Sequence, residues 1–580
     1  MSPLVALGSR GSRTTGCRLY PPHVRGTTMT RLFGKEPVLK VIAKIAGVLL
    51  ATLCAAQLAT ATEPLPRIET KADKHMLIVD GKPFLMLGVQ ANNSSNYPAV
   101  LPKVWPMVQR LHANTLEIPV AWEQIEPQEG KFDFSYLDAL LAGARDRNLR
   151  VVLLWFATWK NTNPSYAPAW VRTDGKRFPR MRTRDGKAHY ALSPHHRATL
   201  EADKRAFVAV MTYLRDHDPQ HTVIMVQPEN EVGSYRQPRD FGPEAERLFA
   251  QPVPAVLARK LGRSGTWPTV FGKLADTAFN AWYTARFIDE IAAAGQAVKD
   301  LPMYTNAALS DPFAPPGTGG GASGGPDMPV IDVWKAAAPH IDLLAPDIYM
   351  RDPRAVAEVL RLYARPDNAL MIPELGNAAD YARFFWPALG RGAIGVAPFG
   401  FDDTGYLNYP LGTKALDDET VDAFASKFAL FAPIARQWAR IAGENPIWGT
   451  AKGADGADQS QVMGAWKITA EYGLWQFGER DWTWIKTDPA PGKDAPVGGA
   501  VVAQIGPDDF LVAGSDVRIR LDAARPVAGK TAAMLNVEEG SFDDAGKWVR
   551  TRVWNGDQTD YGLNFTHRPV LLRVRMMTYE

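Results

Sequence analysis

Cysteine is almost absent from this sequence. Of 580 residues only two are cysteine, Cys17 and Cys54, and both lie within the first sixty residues. Beyond residue 61 the chain therefore has no side chain for a disulfide bond, a thiolate nucleophile or a cysteine-ligated metal. Its fold and its chemistry must depend on a hydrophobic core and on other functional groups.

Membrane-spanning apolar runs are also missing. The apolar stretch Ile45–Ala56 is too short to cross a bilayer. Basic residues precede it and the small-x-small sequence Ala59-Thr60-Ala61 follows it, which is typical of a secretory signal peptide. We therefore expect residues 1–61 to be a leader, with Met29 as its true start. The mature protein is expected in the periplasm or outside the cell, without a membrane span. A lipoprotein anchored through Cys54 is the weaker alternative.

Excess positive charge disappears once the leader is set aside. Residues 1–61 carry eight basic residues and one acidic residue, so 57 basic and 61 acidic residues remain, and the formal net charge falls from +3 to −4. No basic patch indicates a nucleic-acid partner. Aromatic residues, in contrast, are abundant: 17 Trp, 17 Tyr and 24 Phe. Their flat faces suit the C–H surfaces of sugar rings as well as a protein core.

Eight apolar runs alternate with amphipathic helical stretches along the first two thirds of the mature chain. The predicted strands are Phe84–Gln90, Asn114–Val120, Val151–Ala157, Val223–Glu229, Met303–Asn306, Asp342–Ile348, Ala369–Leu375 and Gly392–Phe399. Eight strands that each precede a helix predict an α/β fold of the (β/α)8 barrel type over residues 62–442. The long polar and aromatic segment Trp159–His196 is predicted as a loop, and the glycine-rich segment Gly317–Gly325 as a flexible lid or disorder.

From about Asn445 the pattern changes to short alternating runs separated by Gly, Asp and Pro. Predicted strands here are Ala465–Thr469, Leu474–Phe477, Ala500–Ile505, Asp509–Ala513, Val517–Leu521 and Val570–Val574. Such spacing predicts an all-β accessory domain over residues 443–580, most simply a sandwich. Trp475, Trp482 and Trp484 in this domain suit either carbohydrate binding or its core.

Two predicted barrel strands, the fourth and the seventh, end in glutamates. Glu231 follows the fourth strand and Glu374 lies at the end of the seventh. Parallel strands bring their carboxyl ends to one face, where the active sites of barrels lie. A pair of carboxylates on one face can supply the acid/base and nucleophilic catalysis that cleavage of a glycosidic bond requires. Either glutamate alone would equally suit the start of a surface helix.

We assign Glu231 as acid/base and Glu374 as nucleophile. Glu229 and the partner carboxylate are expected to raise the pKa of Glu231, and Tyr349 to stabilise Glu374. Asn230 is placed to bind the sugar 2-hydroxyl. Other strand-end residues are predicted to contact substrate. The polar ones, which could instead satisfy loop backbone, are Asn92, Asn93, Glu117 and Asn306, and the stacking ones, among which a Trp is about as often core, are Trp122, Trp155, Trp159 and Phe399. His195 and His196 are expected on a loop surface, and we predict no metal and no cofactor.

Two segments of the barrel carry a family resemblance. Gln227–Tyr235 (Gln-Pro-Glu-Asn-Glu-Val-Gly-Ser-Tyr) resembles the Gln-x-Glu-Asn-Glu-x-Gly segment of glycoside hydrolase family 35 and family 42 β-galactosidases. Asn114–Phe134, with its Trp, Glu-Pro, Gly and Phe-Asp-Phe, resembles their second-strand segment. The β domain resembles that of the short bacterial family 35 enzymes. Ile125 departs from family 35, which commonly has His there, and the mature chain lacks the cysteines of the family 42 metal site.

The resemblance implies a retaining exo-β-galactosidase, in which Glu231 protonates the leaving oxygen and Glu374 forms a covalent galactosyl-enzyme. Terminal galactose on oligo- or polysaccharides, including xyloglucan side chains, would be the substrate. Another retaining glycosidase of the same clan (β-glucosidase, mannanase or endo-glucanase) and a non-catalytic polysaccharide-binding barrel are the alternatives. The sequence leaves the galactose preference, the linkage and the oligomeric state open.

Overall fold

The structure is a computed structural model that describes residues 64–315 and 317–580. The predicted leader, with both cysteines, lies outside the described residues. The first two residues of the predicted barrel, 62 and 63, also lie outside them. No helix in the described ranges is both long enough and apolar enough to cross a bilayer.

Eight of the first 13 strands run parallel to one another and form the central sheet. In chain order, the first 13 strands are β1 (Arg67–Lys71), β2 (Lys74–Val79), β3 (Lys82–Pro83), β4 (Met86–Gln90), β5 (Thr115–Ala121), β6 (Arg150–Lys160), β7 (Arg180–Arg182), β8 (Ala188–Leu192), β9 (Val223–Asn230), β10 (Tyr304–Ala308), β11 (Leu343–Ile348), β12 (Met371–Leu375) and β13 (Gly395–Pro398). The sheet order is β10-β11-β12-β13-β4-β5-β6-β9, and a single bridge between Val226 and Met303 joins its two ends. The predicted (β/α)8 barrel is confirmed.

Helices cover the outside of the barrel. They are α1 (Leu101–Arg110), α2 (Trp122–Ile125), α3 (Ser135–Arg145), α4 (Ala169–Arg172), α5 (Arg197–His217), α6 (Pro243–Phe249), α7 (Ala255–Leu261), α8 (Trp267–Phe271), α9 (Ala275–Gln296), α10 (Ile331–Ala337), α11 (Pro353–Tyr363), α12 (Phe385–Gly390), α13 (Asp418–Phe431) and α14 (Ala435–Glu444). Short 3-10 turns lie at Gly272–Leu274, Met328–Val330, Ala379–Phe384, Ala432–Ile434 and Gly556–Gln558. All residues of β5 and β9 are buried, as expected for strands covered on both faces.

Two connections differ from their predictions. The segment Trp159–His196 is not one loop: β6 continues to Lys160, and the hairpin of β7 and β8 follows the short helix α4. The glycine-rich segment is held in place by main-chain hydrogen bonds, since Ser323 and Ser234 donate to each other's carbonyl oxygens at 3.0 and 2.9 Å. The prediction of disorder is therefore wrong for this segment, whereas the alternative of a flexible lid stays a prediction.

The remaining strands form two antiparallel sheets. They are β14 (Ile447–Ala451), β15 (Gln459–Met463), β16 (Trp466–Glu471), β17 (Gly499–Gln504), β18 (Asp509–Ser515), β19 (Val517–Ala523), β20 (Thr531–Phe542), β21 (Trp548–Val553), β22 (Leu563–Phe565) and β23 (Val570–Tyr579). Six strands form one sheet and four the other, and a cluster that includes Ile468, Val512 and Leu572 fills the space between them. The all-β prediction is confirmed, although the predicted strand Leu474–Phe477 is a turn.

Candidate active site

Glu231 and Glu374 come together at the carboxyl end of the barrel. Glu231 directly follows β9, and Glu374 lies in β12, level with Asp347 of β11. One carboxylate oxygen from each of these three residues lies within 4.8 Å of the other two. All three side chains are in the protein interior, with exposed fractions of 8 % for Glu231, 2 % for Asp347 and 3 % for Glu374. The two predicted glutamates therefore share one site.

Four side chains donate hydrogen bonds to Glu374. The Tyr349 hydroxyl donates to Oε2 at 2.6 Å. Gln90, Asn230 and Asn306 donate their amide N–H groups to Oε1 at 3.2, 3.3 and 3.5 Å. Together these donors fix the position of the Glu374 carboxylate, as a nucleophile requires. Tyr349, Asn230 and Asn306 were predicted site residues, whereas Gln90 was not.

Glu231 lies in surroundings that favour its protonated form. Burial, and next the negative charge of Glu374, raise its pKa to about 7, against an opposing effect of the Lys160 ammonium group and a hydrogen bond with Asp347. Its backbone N–H donates to Asn306 Oδ1 at 2.9 Å. Glu229 and Glu231 both have left-handed backbone conformations, with φ of 65° and 42°. Such strained conformations occur preferentially at functional sites.

Glu229 does not contribute to this environment as predicted. Its carboxylate turns to the other side of β9, where it accepts hydrogen bonds from the backbone N–H groups of Thr158 and Trp159 at 3.2 and 2.6 Å. Burial, followed by the charge of Asp203, raises the pKa of Glu229 well above its ordinary value. Glu229 thus anchors the end of β9 to β6, and the partner carboxylate at 374 supplies the charge that acts on Glu231.

Asp347 is a third site carboxylate that the sequence analysis missed. Its Oδ2 accepts from Asn306 at 2.7 Å, and its carboxylate lies beside Glu231, whose carboxyl O–H donates to it when protonated. Burial first, then the charges of Glu374 and Glu231, raise its pKa well above the usual range of aspartate. A strand end, Ala-Pro-Asp-Ile-Tyr, was the available signal. By spacing alone these three carboxylates could also hold a cation.

Lys160, like Gln90 and Asp347, is a site residue that the sequence did not predict. It lies at the end of β6, three residues beyond the predicted strand end, and is 6 % exposed. Its ammonium group donates to Asn230 Oδ1 at 2.7 Å, which leaves the Asn230 amide N–H to face Glu374. Lys160 therefore fixes the amide orientation of Asn230 and places a positive charge beside the carboxylates.

Several predicted substrate contacts are wrong, because the side chains lie in the core. Trp155 donates its indole N–H to Asp203 at 2.9 Å and packs on Phe207 of α5. Trp159 donates to the Leu192 carbonyl at 3.2 Å and packs on Phe287 of α9. Both are 1 % exposed. Both faces of a barrel strand are buried, so its sequence is apolar throughout. Such a sequence does not show which tryptophans point toward the outer helices and which toward the site.

The other predicted contacts are also enclosed. Glu117 is fully buried beneath the site, where it accepts from the Tyr304 hydroxyl at 3.1 Å and burial raises its pKa well above the ordinary value. Asn92 donates to Asp402 at 2.9 Å and is 4 % exposed. Phe399 is 5 % exposed, and Trp122 is fully buried against Trp170. These positions shape the walls and floor of the barrel mouth, and the prediction that they contact sugar is not supported.

His195 is not on a loop surface either. Its ring stacks between Phe279 and Tyr283, with centroids 5.5 and 4.8 Å away, and burial lowers its pKa to about 4. Its neighbour His196 immediately precedes α5 and is half-buried. Neither histidine belongs to the cluster of potential metal ligands found among the described residues.

Exposed aromatic side chains instead lie on the loops that follow the barrel strands. Tyr97 follows β4, Phe313 follows β10, and Tyr406 and Tyr409 follow β13, with exposed fractions of 45, 59, 60 and 57 %. Loops after the strands are on the same face as Glu231 and Glu374. Flat side chains available for stacking are therefore found around the site, at positions that strand-end reasoning could not single out.

Comparison with known proteins supports a glycosidase-type barrel. Residues 99–285 match the glycoside hydrolase family 42 model described as beta-galactosidase. Residues 424–566 match a model described as a domain of unknown function (DUF5597). A beta-galactosidase from Xanthomonas manihotis is 30 % identical over 219 residues, which cover 36 % of this chain and 33 % of that relative. The match thus spans about a third of the length of that relative.

Solved beta-galactosidases are similar at low identity. The enzyme from Marinomonas ef1 is 16 % identical, covers 62 % of either chain and has a TM-score of 0.44. The one from Halorubrum lacusprofundi is 15 % identical, with 60 % of this chain and 58 % of that chain covered and a TM-score of 0.44. At such scores these similarities carry no argument about chemistry. The family 35 assignment is not confirmed, and residues 99–285, which include Glu231, are similar to the beta-galactosidase domain of family 42.

Proposed function

We propose that the protein is a retaining, exo-acting β-galactosidase. The observation that carries the proposal is the spacing of Glu231 and Glu374, whose nearest oxygens lie within 4.8 Å. Retaining glycosidases hold their two carboxyl groups about 5–5.5 Å apart, whereas inverting enzymes need about 6.5–9.5 Å to admit a water. A pair whose nearest oxygens lie this close fits the retaining spacing better than the inverting one, so direct attack by one carboxylate is the better fit.

The roles follow from the surroundings of each carboxylate. Glu374, with four donors, attacks the anomeric carbon while Glu231 gives its proton to the glycosidic oxygen, and a covalent glycosyl-enzyme forms. Glu231, now ionised, takes a proton from a water molecule whose oxygen attacks the anomeric carbon. The bond to Glu374 breaks, and the sugar leaves with its original configuration. Asn230, oriented by Lys160, can share its amide between Glu374 and the sugar 2-hydroxyl.

Galactose specificity is supported by the family 42 match and by the X. manihotis relative. Exo action is supported by the enclosure of the carboxylates, which are 8 % and 3 % exposed. The exposed aromatics around the mouth suit the remainder of an oligosaccharide. We therefore propose terminal β-galactosyl residues of oligo- or polysaccharides as substrates, with xyloglucan side chains as one candidate.

A panel of aryl glycosides tests this proposal. The aryl β-galactoside should be cleaved with a kcat/KM at least about tenfold above the β-glucoside and β-mannoside. NMR should show the β-anomer as the first product. Glu374→Gln should lower kcat by several orders of magnitude, and a 2-fluoro-galactoside should label wild type at Glu374. A first-formed α-anomer would overturn retention, and preference for the glucoside or mannoside would favour another enzyme of the clan. Absence of turnover on every glycoside would favour a non-catalytic barrel.

The place of action is also a proposal. Residues 1–61 have the charge and apolar pattern of a secretory leader, so we propose a periplasmic or secreted enzyme. Cell fractionation with N-terminal sequencing of the mature protein is the test, and a start near Thr62 is expected. Recovery of the unprocessed chain from the cytoplasm would contradict it.

A further inference from the structure

The β-sandwich contains a cavity that is separate from the barrel mouth. Its volume is about 760 Å³. It lies between the segment after β16, the middle of β19, the first half of β20 and the segment between β21 and β22. Among its lining residues are Phe477, Arg480, Arg520, Asp522, Trp554 and Tyr561. The domain that contains it matches a family without an assigned function.

A row of aromatic rings leads out of this cavity onto the surface. Ring centroids are 6.0 Å apart from Tyr561 to Phe477, 5.9 Å from Phe477 to Trp482, and 5.0 Å from Trp482 to Trp484. Tyr561 is 54 % exposed and Trp484 is 77 % exposed. The row is therefore anchored at Phe477 and Trp482 and open at both ends. Large apolar surfaces left in water mark interaction sites.

The charges in the cavity are largely paired with each other. Arg520 contacts Glu471 at 3.2 Å and Asp522 at 3.0 Å, and Arg480 lies 3.5 Å from Asp458. Four acidic residues (these three and Asp560) face two arginines in the lining. The excess of negative charge disfavours nucleic acid and anionic polymers. Fixed carboxylates and guanidinium groups beside flat rings are well suited to the hydroxyl groups and C–H faces of a neutral sugar chain.

The cavity also continues toward the barrel. Arg480 lines a second crevice, of about 740 Å³, between residues 351–354 of the barrel and residues 452–456 and 472–496 of the β domain. Arg383 bridges this junction, since it donates to the Pro496 carbonyl at 2.6 Å and to the Arg351 carbonyl at 3.1 Å. Arg351 is two residues from Tyr349, which contacts Glu374. The two cavities therefore share Arg480, and the second reaches Arg351 in the segment that follows β11.

We propose that the cavity and its aromatic row bind the main chain of a neutral polysaccharide. The choice of a polysaccharide, rather than a protein partner, rests on the proposed glycosidase function of the barrel. The β domain would hold the polymer while the barrel removes terminal sugars from it.

Electrophoresis of the full chain in gels that contain a polysaccharide tests this site. The parent carries Glu374→Gln, so that binding is measured without turnover. Separate gels contain xyloglucan, β-1,4-galactan, galactomannan or, as an anionic comparison, alginate. Trp484→Ala and Tyr561→Ala remove the two exposed rings. Tyr579→Ala, at the 50 % exposed end of β23, removes a ring of the same domain outside the row. Thermal unfolding of each variant checks that it is folded.

At least one neutral polysaccharide should retard the parent. The dissociation constant should rise roughly tenfold in Trp484→Ala and in Tyr561→Ala, and stay unchanged in Tyr579→Ala. No retardation by any neutral polymer, equal retardation of all variants, or retardation by alginate alone would overturn the proposal. Failure of the β-galactosidase proposal would appear elsewhere, in the turnover of aryl glycosides by the protein with Glu374 intact.

Discussion

Glu231 holds its proton near neutral pH because it is buried beside a second carboxylate, and Lys160 limits how far this effect goes. Burial and Glu374 raise the pKa of Glu231 to about 7, and Lys160 acts in the opposite direction. A general acid has to be protonated in the free enzyme, so kcat/KM should fall as the pH rises above about 7. The fall of kcat/KM at high pH is the alkaline limb of the pH profile. The pH at which it occurs thus reports the electrostatics of the site.

Replacing Lys160 should move the alkaline limb upward. Lys160→Met removes the positive charge that lowers the pKa of Glu231, so the limb should shift to higher pH by roughly one unit. The maximal rate should also fall, because Asn230 loses the donor that orients its amide. The pH profile of kcat/KM on an aryl β-galactoside is the measurement. Lys187→Met removes a charge from an exposed ion pair with Asp185 and should leave the limb in place. A shift to lower pH would contradict the assignment of Glu231 as acid.

The same carboxyl group should make folding stability depend on pH. The pKa of Glu231 is about 7 in the folded protein, above its ordinary 4.5. Between these values the folded state binds more protons than the unfolded state, so the stabilising effect is present below about pH 4.5 and is lost as the pH rises to about 7.

Glu231→Gln should therefore stabilise the protein more at pH 8 than at pH 5. The difference in the free energy of unfolding between the two pH values should reach about 3 kcal/mol at most, because glutamine cannot ionise. Thermal or urea unfolding at both pH values measures it. Glu419→Gln, at an exposed position in the first turn of α13, should show no such pH-dependent gain. A gain of equal size at pH 5 and pH 8 would rule out titration as its cause.

At this scale the sequence predicts the residues that lie in motifs and fails for those that do not. Glu231, Glu374, Asn230 and Tyr349 stand at the ends of recognisable strands, and the structure brings them together. Asp347 and Lys160 reach the site only because β11 lies beside β12 and β6 runs three residues further than its apolar run. Those facts depend on neighbouring strands, which a local pattern does not contain.

At the scale of elements, the turn after β9 depends on a glycine. Gly233 has φ of 111°, and a Cβ placed there would lie 2.3 Å from the Ser323 carbonyl oxygen. That oxygen accepts the hydrogen bond from Ser234 that joins the glycine-rich loop to the turn. The close approach of these two backbones holds the segment that begins with Glu231.

Gly233→Ala should therefore disturb catalysis as well as stability. The methyl group forces Ser323 and the turn apart, and a displacement near 1 Å in a catalytic group costs about a hundredfold in kcat. Gly186→Ala is the matched control, because Gly186 also has positive φ, of 79°, but open space around its Cβ position. It should lose only about 1 kcal/mol of stability and no activity. Kinetics and thermal unfolding of both variants test this prediction. Equal losses of activity and stability in the two variants would show that backbone strain at positive φ alone is responsible.

Elements of the β domain were predicted unevenly for a physical reason. Strands such as Val517–Ala523 are mostly buried and read as apolar runs, whereas β21 has one half-buried and five exposed residues and gives no such signal. The turn at Leu474–Phe477 is apolar because its rings cluster with each other, which looks like a strand in sequence. A hydrophobic segment is expected to be buried, but its burial does not show whether it forms a strand or a turn.

At the scale of the molecule, the barrel and the β-sandwich share a core. Residues Thr62–Glu580 form one compact unit. Val501, Leu511 and Leu571 of the sandwich belong to the same buried cluster as Phe385 and Trp386 of α12. Backbones also meet directly at this junction: a Cβ on Gly449 of β14 would lie 2.2 Å from the Trp386 carbonyl oxygen. The strand pattern indicated where the chain changes class, but not that the two parts are fused through α12.

This shared core predicts that the described chain unfolds in a single transition, because neither part keeps its buried surface without the other. Gly449→Val forces β14 away from α12 and should destabilise the whole protein by about 3 kcal/mol or more. Gly175→Val places the same side chain where nothing lies within 4 Å and should have little effect. Scanning calorimetry distinguishes the cases: one peak that moves down as a whole in Gly449→Val is expected. The opposite outcome is two peaks, with only the peak of the β-sandwich shifted by Gly449→Val. It would mean that the barrel is stable alone and that α12 is a contact surface rather than part of a common core.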